Sequence, residues 1–317
     1  MKTNNFVKQL AIGLGLSAAM VGSASAATMI TSFDYTQEFE WVEPINPDGV
    51  VKEGATSGVS DVDGFTKLSW GTPSSSLTSN PLQLPSSLVI NPTDGDSSTP
   101  SNVLTSGSGA DALFVSTDVN ATTFALGPVV THNNFVITGD SVKLQDTAAQ
   151  DYVVLTPAGG GTDQIQEVTF GVEFTETTNN PDNEDACPAG VPFNGLGCGD
   201  IFALTSDLLN LATAQLFNGT TLAFLIDSFS VDGFTYDVYV AALGLGPLSE
   251  GACDAAGAGD NCIGFTTAEG ESSSFQLEFA ILATENIPEP ATLGLLAASL
   301  LLMGLVRRRK VNGSLSA

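Results

Sequence analysis

Hydrophobic and polar residues alternate along most of the chain with the two-residue period of β-strands. In residues 30–41, Phe33, Tyr35 and Phe39 stand at even spacings and therefore fall on one face of an extended segment. Further runs rich in Val, Thr, Phe and Tyr, which suit a pleated and half-buried surface, follow at roughly 10-residue intervals. The pattern predicts strands at residues 88–90, 113–115, 123–126, 134–137, 152–155, 168–174, 222–226, 236–243 and 275–282.

Turn-forming residues separate these runs. Residues 91–96 and 157–161 are rich in Pro, Gly or Asp, and Asp232-Gly233 is a dipeptide typical of a tight hairpin. A helical pattern is found at residues 206–216, where Asp207 is placed to cap the helix. Many short strands with few helices predict an all-β fold, an antiparallel β-sandwich with the jelly roll as its nearest variant.

The N-terminal segment has the features of an export signal. Lys2 and Lys8 precede an apolar run at residues 10–21, and Ala24-Ser25-Ala26 supplies the small residues of a cleavage site. The run is shorter than the roughly 20 apolar residues of a membrane span. Residues 1–26 are therefore predicted to be a secretory signal peptide, handled by the Sec translocon and a signal peptidase, with an uncleaved anchor as the alternative.

The C-terminal segment has three parts in a fixed order. Pro288-Glu289-Pro290 is followed by an uncharged stretch rich in Leu, Ala and Gly at residues 291–306, and then by Arg307-Arg308-Arg309-Lys310. The stretch predicts a short transmembrane helix whose cationic end stays in the cytoplasm. The large domain would then lie outside the inner membrane, in agreement with the signal peptide.

This order resembles the PEP-CTERM sorting signal of Gram-negative bacteria. The resemblance implies recognition by an exosortase in the inner membrane, cleavage near the motif, and transfer from the periplasm to the cell surface or extracellular matrix. Such proteins are associated with exopolysaccharide and biofilm. The expected organisation is an extracytoplasmic domain at 27–286, a sorting signal at 287–310 and a cytoplasmic tail at 311–317. A plain membrane anchor is the alternative.

A second resemblance lies within the domain. Thr131-His132-Asn133-Asn134 resembles the Thr-His-x-Asn motif of a PEP-CTERM subgroup called THxN, for which no chemistry is implied. Four other segments fit the same resemblance: Ser69-Trp70-Gly71, residues 174–179, Asp200-Ile201-Phe202 and residues 264–269. The role of Thr131, His132, Asn133 and Asn134 is left open at this point.

The net charge of the domain limits the classes of partner that it can bind. The chain has a formal net charge of −26, and Lys52, Lys67 and Lys143 are the only cationic side chains between the two terminal segments. Such a domain repels nucleic acid and anionic lipid, so no nucleic-acid partner is expected. Its negative charge favours solubility outside the cell, binding of divalent cations, or contact with a cationic partner.

The cysteine count is even. Cys187, Cys198, Cys253 and Cys262, in an exported chain, predict disulfides. Two local bridges are plausible, Cys187–Cys198 and Cys253–Cys262, although four cysteines allow three connectivities. A zinc site is the competing interpretation, but no C-x-x-C spacing or nearby histidine favours it.

Catalytic signals are few. His132 is the only histidine, so a multi-histidine metal site is excluded and a Ser-His-Asp triad would depend on this residue alone. No G-x-S-x-G motif accompanies it. A structural role for His132 is favoured, with ligand binding and catalysis as alternatives, and the chain is expected not to be an enzyme.

Acidic loops offer oxygen ligands for Ca²⁺. Asp61, Asp63 and Asp185 are the candidate ligands, although none lies in an EF-hand pattern. Trp41 and Trp70 provide either a sugar-stacking platform or core anchors. The sequence therefore predicts an exported structural protein of the surface or matrix, without a cofactor unless Ca²⁺ is bound. A carbohydrate- or calcium-binding matrix module is the alternative.

Overall fold

The computed structural model of the chain describes residues 28–55, 64–75, 80–91, 104–179, 184–205 and 214–286. Most of these residues lie in antiparallel strands, which confirms the all-β prediction. The strands are β1 (Ser32–Asn46), β2 (Val51–Ala55), β3 (Phe65–Trp70), β4 (Ser86–Asn91), β5 (Leu104–Gly107), β6 (Leu113–Ser116), β7 (Ala125–Asn133), β8 (Asp146–Pro157), β9 (Gln164–Thr175), β10 (Asp200–Thr205), β11 (Gln215–Phe217), β12 (Thr221–Val231), β13 (Phe234–Leu243), β14 (Gly246–Pro247), β15 (Ile263–Thr267) and β16 (Ser272–Glu285).

Hydrogen bonds join these strands into one sheet in the order β11-β12-β13-β16-β7-β4-β3-β1-β8-β9-β10-β15-β14. Three strands lie off this path: β2 pairs with β3, β5 with β1, and β6 with both β1 and β16. The pairing of β6 with β16 is parallel, whereas β1 and β8 form a long antiparallel ladder.

Strands distant in the sheet order face one another across the core. The ring of Trp70 on β3 lies 4.8 Å from that of Phe174 on β9, and Phe202 on β10 lies 5.4 Å from Phe275 on β16. The sheet therefore turns back on itself to give a sandwich-like arrangement of two layers. The jelly-roll variant stays a prediction.

Alternating burial along β9 shows how the sequence pattern builds this core. Val168, Phe170, Val172 and Phe174 are buried, whereas the residues between them are more exposed. This is the period of two that the sequence predicted. The rings of Trp41 and Trp70 are also buried, at 0% and 2% exposure, so neither offers a stacking platform to an external sugar.

Two disulfides stabilise the loops beside β10. Cys187 is bonded to Cys198 and Cys253 to Cys262, as the local pairing predicted. The cysteines pack with Ile201 of β10 in a small hydrophobic cluster. This cluster fixes the connection from β9 to β10 against the interior.

A short helix, α1 (Glu250–Ala256), carries one of these cysteines. The Ser249 side chain caps it by accepting the Ala252 N–H at 3.2 Å, and the helix ends at Gly257, whose φ is 75°. The helix predicted at residues 206–216 is wrong at its end, because Gln215–Phe217 form strand β11. Its other residues, 206–213, lie outside the described part of the chain.

Two turn predictions had different outcomes. Asp232 and Gly233, both with positive φ, connect β12 and β13 as the hairpin prediction required. The strand predicted at residues 134–137 is wrong: β7 ends at Asn133, and Ile137 makes only an isolated bridge with Pro73.

Candidate functional site

Four ionisable side chains from separate segments meet in the interior. His132 lies on β7, Glu176 directly follows β9, Asp200 begins β10, and Glu269 follows β15. All four residues are buried. Carboxylate oxygens of Glu176, Asp200 and Glu269 lie within 4.8 Å of one another, and His132 Nε2 lies 3.6 Å from Asp200 Oδ2.

Strand β7 fixes the histidine from both sides. His132 is paired with Leu88 of β4 and with Ser273 of β16. Asn134 is two residues further on and is also fully buried, which is the alternation expected at the end of a strand. The side-chain nitrogen of Asn134 donates to the carbonyl of Thr267 at 2.9 Å, beside Glu269.

Aromatic rings surround the imidazole. The ring of His132 is stacked on that of Trp70 at 5.9 Å, with 13° between their planes. The Phe174 ring meets it edge-on at 5.0 Å. Burial in these surroundings lowers the pKa of His132 to about 3, so the ring is neutral at pH 7 and its contact with Asp200 is not an ion pair.

The loop closed by the Cys187–Cys198 disulfide positions Asp200. The Thr177 N–H donates to Asp200 Oδ1 at 2.9 Å, and the Thr177 hydroxyl donates to the carbonyl of Cys198 at 2.7 Å. Gly199 permits the close approach of this loop to β15, because a Cβ there would lie 2.9 Å from the carbonyl oxygen of Thr267.

The other two carboxylates accept hydrogen bonds from Trp70, Asn134 and Asn179. Trp70 Nε1 donates to Glu176 Oε2 at 2.7 Å. We assign the Asn179 amide so that its oxygen accepts the Ile137 N–H at 3.2 Å and its nitrogen donates to Glu269 Oε1. Glu176 and Asp200 also interact through a hydrogen bond between their carboxyl groups.

The remaining polar atoms of the cluster have no such donor. Within the described residues, no N–H or hydroxyl hydrogen-bonds to Glu176 Oε1, Asp200 Oδ2 or Glu269 Oε2. Asn134 Oδ1 and both ring nitrogens of His132 likewise make no hydrogen bond. Buried polar atoms are usually paired, so this group of atoms requires a chemical explanation.

Burial and mutual repulsion favour protonation of the carboxyls. Burial raises the pKa of Asp200 well above its usual value, and the neighbouring Glu176 and Glu269 raise it further. Burial also raises the pKa of Glu269 to about 8. Attraction to Lys143 opposes this effect at both glutamates. The cluster must hold protons or a cation if it is to stay buried.

The structure separates the four residues of the Thr-His-x-Asn segment into two pairs. His132 and Asn134 point into the cluster. Thr131 instead contacts the Ser274 hydroxyl at 2.9 Å, and Asn133 accepts a hydrogen bond from Ser272 at 2.8 Å. The segments grouped with this motif by resemblance contribute Trp70, Phe174, Glu176, Asn179, Asp200, Thr267 and Glu269 to the same region.

Sequence reasoning did not identify Glu176, Asp200 and Glu269 as a set, although each lies in one of those segments. Of the predicted Ca²⁺ ligands, Asp61 and Asp63 lie outside the described residues. Asp185 is exposed on the 3-10 helix Glu184–Ala186 and is not part of the converging group.

A separate apolar cavity of about 170 Å³ lies between the layers. Its walls are mostly aromatic and aliphatic, and include Phe39, Trp41, Phe202, Phe224 and Phe275. The polar cluster, rather than this cavity, contains the groups that can bind an ion or move a proton.

Comparison with known families identifies the C-terminal segment. Residues 286–310 match the family profile of the PEP-CTERM protein-sorting motif, which confirms the predicted sorting signal. The motif implies export, sorting to the cell surface, and an exosortase as the processing partner. No curated protein matches the chain in sequence. The likeness to the THxN subgroup stays a prediction.

The two terminal segments lie outside the described residues. These are residues 1–27, which include the predicted signal peptide, and residues 287–317, which include Pro288-Glu289-Pro290 and Arg307-Arg308-Arg309. None of the helices in the described part of the chain has the length and hydropathy that a membrane span needs.

Proposed function

We propose that this chain is an exported structural protein of the cell surface or extracellular matrix, where it acts together with exopolysaccharide in a biofilm. The observation that carries the proposal is the PEP-CTERM motif at residues 286–310. The chain has no catalytic role in this proposal.

The two ends of the chain provide the route. Residues 1–26 engage the Sec translocon and are removed by signal peptidase. Residues 291–306 then hold the protein in the inner membrane, with Arg307-Arg308-Arg309 in the cytoplasm and the β-domain in the periplasm. An exosortase acts near Pro288-Glu289-Pro290 and releases the domain outward.

The β-domain has features that suit a location outside the cell. Its two disulfides suit an oxidising compartment. A non-enzymatic role is supported by the burial of His132, whose ring is 0% exposed and therefore not accessible to an external substrate. A ring in that position is suited to organising the interior.

Mass spectrometry of the protein recovered from culture tests the proposed route. The released form is expected to begin near Ala27 and to end near Pro288. In a strain without the exosortase, the chain should remain in the membrane fraction with its tail intact. A released protein that still carries residues 291–310 would contradict sorting.

The proposed matrix role has its own test. Deletion of the gene should weaken floc or biofilm structure, and the full-length gene should restore it. A version lacking residues 287–310 serves as the control, because it folds the same domain without the sorting signal. Restoration by both versions would show that sorting is not needed for the role.

A second candidate function is a calcium-binding matrix module. It is favoured by the convergence of Glu176, Asp200 and Glu269 within 4.8 Å. A carbohydrate-binding module has less support, because the rings of Trp41 and Trp70 are buried.

A further inference from the structure

We propose that Glu176, Asp200 and Glu269 bind one divalent cation inside the β-domain, and that the ion is Ca²⁺. This candidate cation site differs from the acidic loops that the sequence alone indicated. It rests on the second candidate function, the calcium-binding module, and is independent of the sorting motif, so its failure would leave the proposed sorting and matrix role standing.

The distances between the carboxylates fit one ion. Their ligand oxygens all lie within 4.8 Å of one another. Ca²⁺ binds oxygen at about 2.3–2.6 Å, so two ligands on opposite sides of the ion are roughly 5 Å apart. The three ligand oxygens are therefore close enough to one another to share one ion.

The buried neighbours of the carboxylates provide a second, independent indication of a ligand. His132 is completely buried, neither ring nitrogen has a hydrogen-bond partner, and Nε2 points toward Asp200. The 3.6 Å separation of Nε2 from Asp200 Oδ2 is too long for a hydrogen bond. Asn134 Oδ1 is also buried and unpaired, and the amide of Asn134 contacts Glu269. A cation would satisfy this oxygen.

The set of donors selects the type of ion. Among the described residues, the converging group contains only carboxylates, and Asn134, whose side chain hydrogen-bonds to Glu269, carries an unpaired oxygen beside it. Hard cations prefer such ligands, whereas Zn²⁺ prefers Cys and His. Mg²⁺ usually keeps several waters, which suits an enclosed site poorly, while Ca²⁺ tolerates irregular coordination.

The charges also favour a divalent ion. Three ionised carboxylates at this separation repel one another strongly in the interior. One Ca²⁺ neutralises two of the negative charges, and Lys143 attracts Glu176 and Glu269. His132, held between Trp70 and Phe174, lies beside Asp200 but outside the converging carboxylate group.

Bound Ca²⁺ would connect three segments that are far apart in the chain. These are the loop after β9, the first residue of β10, and the loop after β15. Because the ion binds only when these segments are assembled, it would stabilise the folded domain outside the cell.

Terbium luminescence provides a specific test on the full-length chain, purified in detergent and stripped of metal. Tb³⁺ replaces Ca²⁺ at oxygen sites, and the Trp70 indole, 2.7 Å from Glu176 Oε2, is placed to sensitise its emission. We expect a saturable signal at one equivalent that Ca²⁺ displaces. We also expect Ca²⁺ to raise the Tm of the wild type by about 5 °C or more.

Substitutions distinguish the site from ions bound elsewhere on an acidic surface. Asp200→Asn and Glu269→Gln keep the shape of the side chain. Each variant should reduce the Tb³⁺ signal at least tenfold and the Ca²⁺-induced Tm shift at least threefold. Glu173→Gln is the matched control, because Glu173 lies on the opposite face of β9 from Val172 and Phe174. It should leave both readouts unchanged.

The wild type keeps the test decisive even if a variant fails to fold. Absence of both a saturable Tb³⁺ signal and a Ca²⁺-dependent Tm shift in the wild type would overturn the proposal. Equal responses in Asp200→Asn, Glu269→Gln and Glu173→Gln would overturn it as well, because the ion would then be bound only to surface carboxylates.

Discussion

Two of the buried acidic regions among the described residues, Asp151 and the candidate cation site, accommodate burial in different ways. Asp151 on β8 is 1% exposed, and Gln37 Nε2 donates to one of its oxygens at 2.9 Å. Burial raises the pKa of Asp151 to about 7, so one proton neutralises it below that pH. The candidate cation site instead brings three carboxylates within 4.8 Å of one another.

The difference shows how many buried carboxyl groups one proton can neutralise. A single carboxyl with one amide donor is tolerated in its neutral form. Three converging carboxyls need several protons or one divalent cation, and their neighbours His132 and Asn134 retain unpaired atoms. The first arrangement is structural, whereas the second has the composition of a binding site.

The largest expected effect comes from truncation at the candidate cation site. Asp200→Ala removes a proposed ligand and the acceptor of the Thr177 N–H. We expect a loss of about 4 kcal/mol of unfolding free energy in Ca²⁺ buffer and about 2 kcal/mol in chelator, measured by urea denaturation. An equal loss in the two buffers would show that Asp200 is structural.

Loss of a disulfide is the next largest effect. Replacing both Cys187 and Cys198 by Ser should cost about 3 kcal/mol and also weaken Ca²⁺ binding, because this loop positions Thr177 and Asp200.

The Cys253–Cys262 pair provides the matched control for that prediction. Its loss should cost a similar amount of stability and leave Ca²⁺ affinity unchanged, since it braces α1 rather than the Thr177 loop. Calorimetric titration with Ca²⁺ measures the distinction. Identical Ca²⁺ affinities in the two double variants would show that the loop closed by Cys187–Cys198 does not position the candidate cation site.

The buried carboxyl of Asp151 predicts that the stability of the domain depends on pH. The folded-state pKa of Asp151 is raised, so the folded protein holds a proton that the unfolded chain releases, and stability is lost as pH rises toward about 7. This group should account for roughly 2 kcal/mol of lost stability between pH 5 and pH 7.

Asp151→Asn removes that contribution and keeps a side chain to which Gln37 can hydrogen-bond. Denaturant unfolding of this variant in chelator, across the same pH range, should give a flatter profile than that of the wild type. A parallel pair of profiles would mean that Asp151 is not neutral in the folded state.

The smallest expected effect lies on the outward side of the Thr-His-x-Asn segment. Thr131→Val removes only the contact with Ser274, so we expect a change below about 1 kcal/mol and no change in Ca²⁺ affinity. Asn134→Ala, at an inward position, should weaken Ca²⁺ binding in the same titration. A larger effect on Ca²⁺ affinity from Thr131→Val than from Asn134→Ala would show that the outward side of β7, rather than the buried cluster, binds the ion.

Local pattern was sufficient for much of the fold. The alternation at residues 168–174 corresponds to β9, the Asp232-Gly233 dipeptide to a hairpin, and the short cysteine spacings to the two bridges. Each of these features depends on residues that are close in the chain. The sorting motif was also readable, because its three parts are consecutive.

The candidate cation site depends on contacts that no local pattern contains. Glu176, Asp200 and Glu269 meet only because β10 pairs with both β9 and β15. The sequence also predicted a strand at residues 134–137, whereas Asn134 leaves the ladder and enters the cluster. Helix α1 was missed because it is short and is held by a disulfide rather than by a long apolar face.

Anomalous diffraction from crystals grown with Tb³⁺ tests the central claim most directly. The account predicts one strong peak within coordination distance of oxygens from Glu176, Asp200 and Glu269, which is displaced when excess Ca²⁺ is added. Carboxyl groups hydrogen-bonded only to one another, with Tb³⁺ found solely on the protein surface, would contradict it.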